Sequence, residues 1–540
     1  MAGAVESTLV NEDTSETEAI AAGAVGLAAI LFALSLAALF DFVAITDPIA
    51  GVPVVVLLGG LLVVLGGAVI TFGVGSRLGY VATQPRPSAG VIASAAFALL
   101  WFVVGGFVAS QTLGLGTVGW FAVALVTGGV AFAGTALPRE DLGSTIPAGA
   151  LALLAGLVFL GGVIDPSWVW SLGWEQQASF KAEFAIPAVT AFCSLLAGWA
   201  SAKAYGGFGA RGRHVGAYVL VYMNALSIIT VLFLLVAFTV LKGLPGLFKG
   251  LTLGLGAGPE TTLFGVTFNL PVSWPFVMNG VALLNDVNGV LPAIVGTIWL
   301  VVGAVLFAVP LGVGAAVFIT EYAERGRFTQ VVEVATNGLW STPSIVFGLF
   351  GLAFLVPRLG NGKSLLAGML TLGFMLLPLV VITSREAMLA VPDEYRDASA
   401  ALGVSKWQTV RSIVLPAALP GIVTGIILGV GRIAGETAPI LLTMSGSVAP
   451  PGSQTVDVIG GFEFTASPPF VDNPELLKAT SALPYQLYSL ITAGVGQSSN
   501  IGNIEQFRWA TALILLVVVL SFYAVGIATR YYFRRKLQHE

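Results

Sequence analysis

Two charges stand inside an otherwise apolar run. The segment reads Gly421-Ile-Val-Thr-Gly425-Ile-Ile-Leu-Gly429-Val-Gly431-Arg432-Ile-Ala-Gly435-Glu436-Thr437-Ala438-Pro439. Gly421, Gly425, Gly429, Arg432 and Glu436 recur at steps of four, four, three and four, which a helix would gather on one stripe. Three glycines on a stripe let a second helix approach closely in lipid. A charge in the hydrocarbon costs about 2.5–3.5 kcal/mol on insertion scales, so such residues mark pathways or buried pairs. The planar fork of an arginine grips an oxyanion through two parallel hydrogen bonds. A carboxylate beside it repels a fully ionised anion but accepts a hydrogen bond from one that keeps a proton, as phosphate does near neutral pH and sulfate does not. The carboxylate also balances Arg432 when no anion is present. The competing reading of the same two residues is an ion pair that only holds a helix bundle together.

A second pattern lies just before the first. Asp397-Ala398-Ser399 is followed after three residues by Gly403, and after nine more by Ile413-Val414-Leu415-Pro416. This stretch is charged and amphipathic, yet apolar runs flank it. A polar helix–turn–helix between membrane spans must sit in water at one membrane face, where it can touch a soluble partner. Pro392 opens a first helix, with Asp393 and Glu394 at the positive end of its dipole. Gly403 ends it in the left-handed region. Ser405 and Gln408, three apart, form a capping box for a second helix. Ala398, Ala401 and Leu402 share one side of the first helix as an apolar knob that a partner's groove can receive.

The elements that carry these residues follow from composition. Of 540 residues 56% are hydrophobic and 10% charged, with a mean hydropathy of +0.92. Soluble domains carry about 25% charged residues, so the chain reads as an integral membrane protein. Stretches of roughly 20 apolar residues each span a bilayer. About twelve are expected, near 19–40, 52–74, 89–110, 113–137, 146–164, 184–201, 217–241, 290–319, 331–356, 364–382, 421–443 and 509–528. Basic residues follow the second, sixth, eighth, tenth and twelfth spans: Arg77 and Arg86; Lys203, Arg211 and Arg213; Arg325 and Arg327; Arg385, Arg396, Lys406 and Arg411; Arg530, Arg534, Arg535 and Lys536. By the positive-inside rule these loops and both termini face the cytoplasm. Arg358 and Lys363 run against the pattern. Trp168, Trp170 and Trp174 cluster in an outer loop as an interfacial belt.

Four regions are expected: an acidic cytoplasmic tail at 1–18, a six-span accessory membrane domain at 19–202, a glycine-rich basic linker at 203–216, and a second membrane domain at 217–540 whose loop at 385–416 faces the cytoplasm. The tail lacks the basic start and cleavage site of a secretory signal. Two long loops of the second domain, 242–289 and 444–507, read as ordered exterior loops. A net charge of −4 and a pI near 5.4 argue against nucleic acid as a partner.

Several signals are read as bland. Gly360-Asn361-Gly362-Lys363-Ser364 looks like the end of a P-loop, but Pro357 stands where the motif needs glycine and no strand precedes it. His214 and His539 have no metal-ligand spacing, so no metal site is expected. Cys193, the only cysteine, is read as an inert small residue. Glu333 and Asn337 are read as a solvated helix end, and Arg385 with Glu386 as snorkelling charges.

The loop spacing resembles the cytoplasmic "EAA" loop of ABC-importer permeases, with Asp397 for the usual Glu and Ser399 for the second Ala. Gly431-Arg432, Gly435-Glu436-Thr437-Ala438-Pro439, Pro343-Ser344-Ile345-Val346-Phe347-Gly348-Leu349-Phe350-Gly351, Glu321-Tyr322-Ala323 and Ala390-Val391-Pro392 resemble the phosphate-specific permeases of the PstA type. The resemblance covers roughly 217–540. It implies an all-α, polytopic membrane protein with a type I importer core in its C-terminal half, in the cell membrane. It implies Arg432, Glu436 and Thr437 on the substrate path. It also implies Asp397, Ala398, Ser399, Leu402, Gly403, Leu415 and Pro416 in coupling to an ATPase. The implied partners are a homologous second permease, two ATP-binding subunits inside and a phosphate-binding protein outside. No cofactor is then bound by this chain, which is a transport subunit rather than an enzyme; ATP is used by the partner. Permeases for sulfate, molybdate or tungstate, and a stand-alone secondary transporter, are the alternatives. The resemblance does not reach the first half.

Overall fold

The computed structural model describes residues 16–81, 83–171, 179–254, 256–263, 266–280, 289–324, 326–360, 362–445, 455–468, 470–492 and 504–539. Trp174, Glu175, Arg325, Asn361 and most of the acidic tail lie outside them. Among the described residues eleven helices are long and apolar enough to cross a membrane, or twelve if one bent pair counts as a span. The molecule is all-α and polytopic, with short antiparallel hairpins in its loops. The chain forms two compact units, Met1–Phe238 and Thr239–Glu540.

The first unit contains α1 (Glu16–Leu39), α2 (Val54–Leu78), α3 (Val91–Gln111), α4 (Thr117–Ala136), α5 (Glu140–Leu160), α6 (Ala182–Tyr205) and the start of α7 (Gly209–Leu247). Helices α2 and α5 pack closely because glycine meets glycine. A Cβ on Gly66 would lie 2.6 Å from the Gly149 carbonyl oxygen, and one on Gly156 would lie 2.5 Å from that of Gly59. Leu58, Leu62 and Leu65 fill the core beside them, and Cys193 is buried there too. Where α5 begins and α6 ends, charge is buried. Lys203 Nζ lies 2.8 Å from Glu140 Oε1 and donates to Ser144 Oγ at 2.7 Å, and both charged side chains are at most 2% exposed. Glu140 Oε2 accepts from the backbone N–H of Arg86 at 3.2 Å and of Gly209 at 3.1 Å. Lys203, expected to open an exposed linker, is instead a buried end of α6, because a carboxylate, a hydroxyl and the Trp199 ring surround its ammonium.

The second unit contains α8 (Leu291–Val317), α9 (Arg327–Ser341), α10 (Ser344–Phe350), α11 (Leu365–Leu389), α12 (Asp393–Ala401), α13 (Lys406–Thr409), α14 (Leu415–Ala434), α15 (Ala438–Thr443), α16 (Leu483–Thr492) and α17 (Ile504–His539). Its core gathers Leu300, Ala304 and Ala308 of α8, Leu372 and Leu376 of α11, and Ile433 and Ile440 around the end of α14. Two expected spans are corrected. The span at 331–356 is a bent pair, Arg327–Ser341 and Ser344–Arg358, at 101°. Thr342 is extended (φ −67°, ψ 133°), as the residue before a proline prefers, and Pro343 has no N–H to continue the helix. The span at 421–443 breaks after Ala434 and restarts at Ala438. Among the described residues three single π-turns interrupt the unit, at Phe318–Tyr322, Gly351–Leu355 and Val410–Val414. In the long loops Glu260–Leu263 pairs with Val266–Asn269, Thr252–Leu253 with Val272–Ser273, and Glu463–Phe464 with Val471–Asp472.

Candidate functional site

Arg432 sits in the last turn of α14, where its charge complements the negative end of the helix dipole. Gly435 closes that helix, and Glu436 and Thr437 occupy the break before α15. Glu436 therefore does not continue the helical stripe. It curls back so that its Oε1 lies 3.9 Å from Arg432 Nε, a loose ion pair beyond hydrogen-bond length. The guanidinium also lies over the Trp340 ring of α9, 4.1 Å from its centre. Arg432 keeps 33% of its side chain exposed and Glu436 19%. Among the described residues the guanidinium N–H groups make no hydrogen bond within the chain. A fork of donors held flat by a ring, with an acceptor beside it, can take a tetrahedral oxyanion in plane. Trp340 is the residue that sequence reasoning missed. It lies outside the glycine–arginine pattern, and only the bend at Pro343 brings it there.

The end of α15 beyond the break is held by its neighbours. Lys363 Nζ donates to the carbonyl oxygens of Leu441 and Ser445, both at 3.0 Å, and the Ser364 N–H donates to that of Thr443 at 3.0 Å. The P-loop look-alike is thus a clamp on the C-terminal end of α15. Gly421, Gly425 and Gly429 all face α11. A Cβ on Gly421 would meet Ala387 at 2.7 Å, one on Gly425 would collide with Thr383, and one on Gly429 with Leu376. Gly431 faces Tyr523 of α17 in the same way.

At the far end of α14 the loop forms the expected two short helices. Gly403 takes φ +73°. Gln408 N–H donates to Ser405 Oγ and Ser405 N–H to Gln408 Oε1, closing the capping box. Asp397, Ala398, Ala401 and Leu402 are exposed, Leu402 at 83%, so the apolar knob is free of its own chain. Ser399 is not part of that face. It is buried, and its hydroxyl bonds to that of Thr409 at 2.6 Å, stapling α12 to α13. Leu415 and Pro416 start α14 and are half-buried. Arg385, at the end of α11, pairs with Glu333 at 2.6 Å and with Glu386 at 2.7 Å. With Thr336 and Asn337 these three residues line a polar cavity of about 90 Å³. These partly exposed charges form one polar constellation.

Residues 308–539 match the family described as Binding-protein-dependent transport system inner membrane component. A probable ABC transporter permease protein, YqgI of Bacillus subtilis (strain 168), is 31% identical over 46% of this chain and 81% of that protein. The phosphate transport system permease protein PstA 1 of Mycobacterium tuberculosis (strain CDC 1551 / Oshkosh) is 35% identical over 46% of this chain and 72% of that protein. The phosphate transport system permease protein PstA of Haemophilus influenzae is 37% identical over 37% of this chain and 71% of that protein. The bent helix, the broken helix with its arginine and the capped loop all fall inside the matched region. This chain belongs to the family of binding-protein-dependent inner membrane transport components, as an ABC-importer permease of the PstA type.

Proposed function

We propose that this permease carries phosphate, and that Arg432, Glu436 and Thr437 line its path. One observation carries the reading: Arg432 presents N–H groups without a hydrogen-bond partner among the described residues, beside a carboxylate at the break between α14 and α15. Phosphate, which keeps a proton near neutral pH, donates to Glu436 while its oxygens accept from Arg432. Relatives named as phosphate transport permeases support this choice of anion. The loop at 385–416 docks on an ATP-hydrolysing subunit at the cytoplasmic face, a side that its basic residues support. A homologous second permease, a second ATPase subunit and an external phosphate-binding protein complete the assembly, and ATP is consumed outside this chain.

The test is uptake of labelled inorganic phosphate by the assembled complex. Arg432→Gln removes the charged fork and lowers uptake by about 100-fold, the loss of roughly 3 kcal/mol that a charge-assisted contact supplies. Unchanged uptake removes Arg432 from the path. Sulfate, molybdate and tungstate, added in excess, leave phosphate uptake intact. Competition by any of them at equal concentration favours the wider oxyanion reading, which the bare arginine also fits.

A further inference from the structure

A docking loop moves a membrane bundle only if something ties it there. Held to α11 by the chain alone, its first helix would swing on the link at Ala390–Pro392. On the α11 side Arg396 supplies a tie. The Arg396 side chain of α12 donates to Glu321 Oε1 through Nη2 at 2.9 Å and Nε at 3.3 Å. It also donates to the carbonyl oxygens of Met388 at 3.0 Å and Val391 at 2.7 Å. Those carbonyls lie at and beyond the last turn of α11, where the regular helical ladder has run out; the Met388 carbonyl also accepts from the Val391 N–H at 3.2 Å. Glu321 lies in the π-turn that ends α8, and only 7% of its side chain is exposed. π-turns break the regular ladder and cluster at working parts of proteins. From the loop's second helix, Lys406 reaches the same π-turn, with Nζ 5.4 Å from the Tyr322 ring centre.

We propose that Arg396 and Glu321 are positioning residues for energy coupling: their ion pair makes α8, α11 and α12 move as one piece when the loop is displaced. It rests on the reading that this loop docks on an ATPase subunit. The planar guanidinium is suited to the task, because its rigid fork fixes direction toward two carbonyls, Glu321 and, within its own helix, the exposed Asp393, whose Oδ1 accepts from Nη1 at 3.1 Å. The loop is tied on its other side as well, since α13 runs through the π-turn Val410–Val414 directly into α14. Displacement of the loop then shifts α11, through Arg396, against the glycine face of α14, which carries Arg432 at its far end.

The experiment compares the assembled wild-type complex with Arg396→Gln, Arg396→Lys, Glu321→Gln and the reversed pair Arg396→Glu with Glu321→Arg. Two quantities are read: the amount of ATPase subunit that co-purifies, and inorganic phosphate moved per ATP hydrolysed in vesicles. The ATPase subunit is expected to co-purify with all of them, while phosphate moved per ATP falls by about tenfold in each single variant. Arg396→Lys falls with the others because an ammonium keeps the charge but not the fork, and the reversed pair recovers part of the ratio. A merely structural role would lower the amount of complex and leave the ratio alone, which overturns the proposal, as does an unchanged ratio in Glu321→Gln. If the wild-type chain fails to retain an ATPase subunit, the docking reading falls instead.

Discussion

Arg432 is held between a ring and a carboxylate, and the two act in different ways. Glu436 offers charge at 3.9 Å without taking a hydrogen bond, and Trp340 offers a face that fixes the plane of the guanidinium without using its N–H groups. A cation over an aromatic face gains about 0.5–2 kcal/mol, depending on how far it is desolvated. Trp340→Ala removes that constraint, lets Arg432 close onto Glu436 and so spends the fork that an anion would use. The half-saturating phosphate concentration is expected to rise by roughly 2- to 30-fold, the equivalent of that energy. Trp340→Phe retains a face and is expected to lose less. The check is a titration of phosphate uptake in the assembled complex. An unchanged half-saturating concentration in Trp340→Ala would show that the ring only fills space.

At the scale of elements, the glycine face of α14 makes a sharper demand than its sequence pattern suggested. Gly425 lies against the whole Thr383 side chain, so a larger residue cannot be relieved by one rotamer change. Gly425→Val is expected to spread α14 from α11 and cost about 1–3 kcal/mol, as overpacking does in cores. Gly338 of α9 has nothing within 4 Å of a Cβ, so Gly338→Ala is the control and leaves the melting temperature of the detergent-solubilised protein unchanged or raised. Equal melting temperatures for Gly425→Val and wild type would remove the close-packing argument. Local patterns were legible because their parts are near in sequence: the capping box spans Ser405 to Gln408, and the left-handed Gly403 follows its helix directly. The bend at Pro343 and the break at Gly435 were written in turn residues, yet a hydropathy sum runs through both, since it weighs oiliness and not direction. Pairs such as Arg396 with Glu321, 75 residues apart, left no local mark. Ser399 entered the coupling set through its place in the Asp397-Ala398-Ser399 triplet, and a triplet does not tell which of its side chains the next helix covers.

At the scale of the whole molecule, the family match at 308–539 falls within the second unit, and the first unit has its own core and its own buried charge. The positive-inside rule counted Lys203 as a loop cation, whereas the residue lies inside, bonded to Glu140 and Ser144. A buried pair of this kind is weak evidence for stability, because apolar replacements of both partners are often tolerated. What Glu140 does besides pairing is accept from the N–H groups of Arg86 and Gly209, which fixes two chain connections to the start of α5. Breaking the pair and keeping those two contacts are therefore separable. Lys203→Met leaves a carboxylate buried with Arg213 Nη1 3.7 Å away as its remaining cation, and is expected to cost about 3–5 kcal/mol. Lys203→Met combined with Glu140→Gln removes the uncompensated charge but keeps a carbonyl oxygen for both N–H groups, and is expected to regain most of that loss. Thermal unfolding of the full chain in detergent reads the difference. If the double variant melts no higher than the single one, the ammonium holds the site through more than its charge, and the account of this unit's buried pair as a clamp on two connections fails.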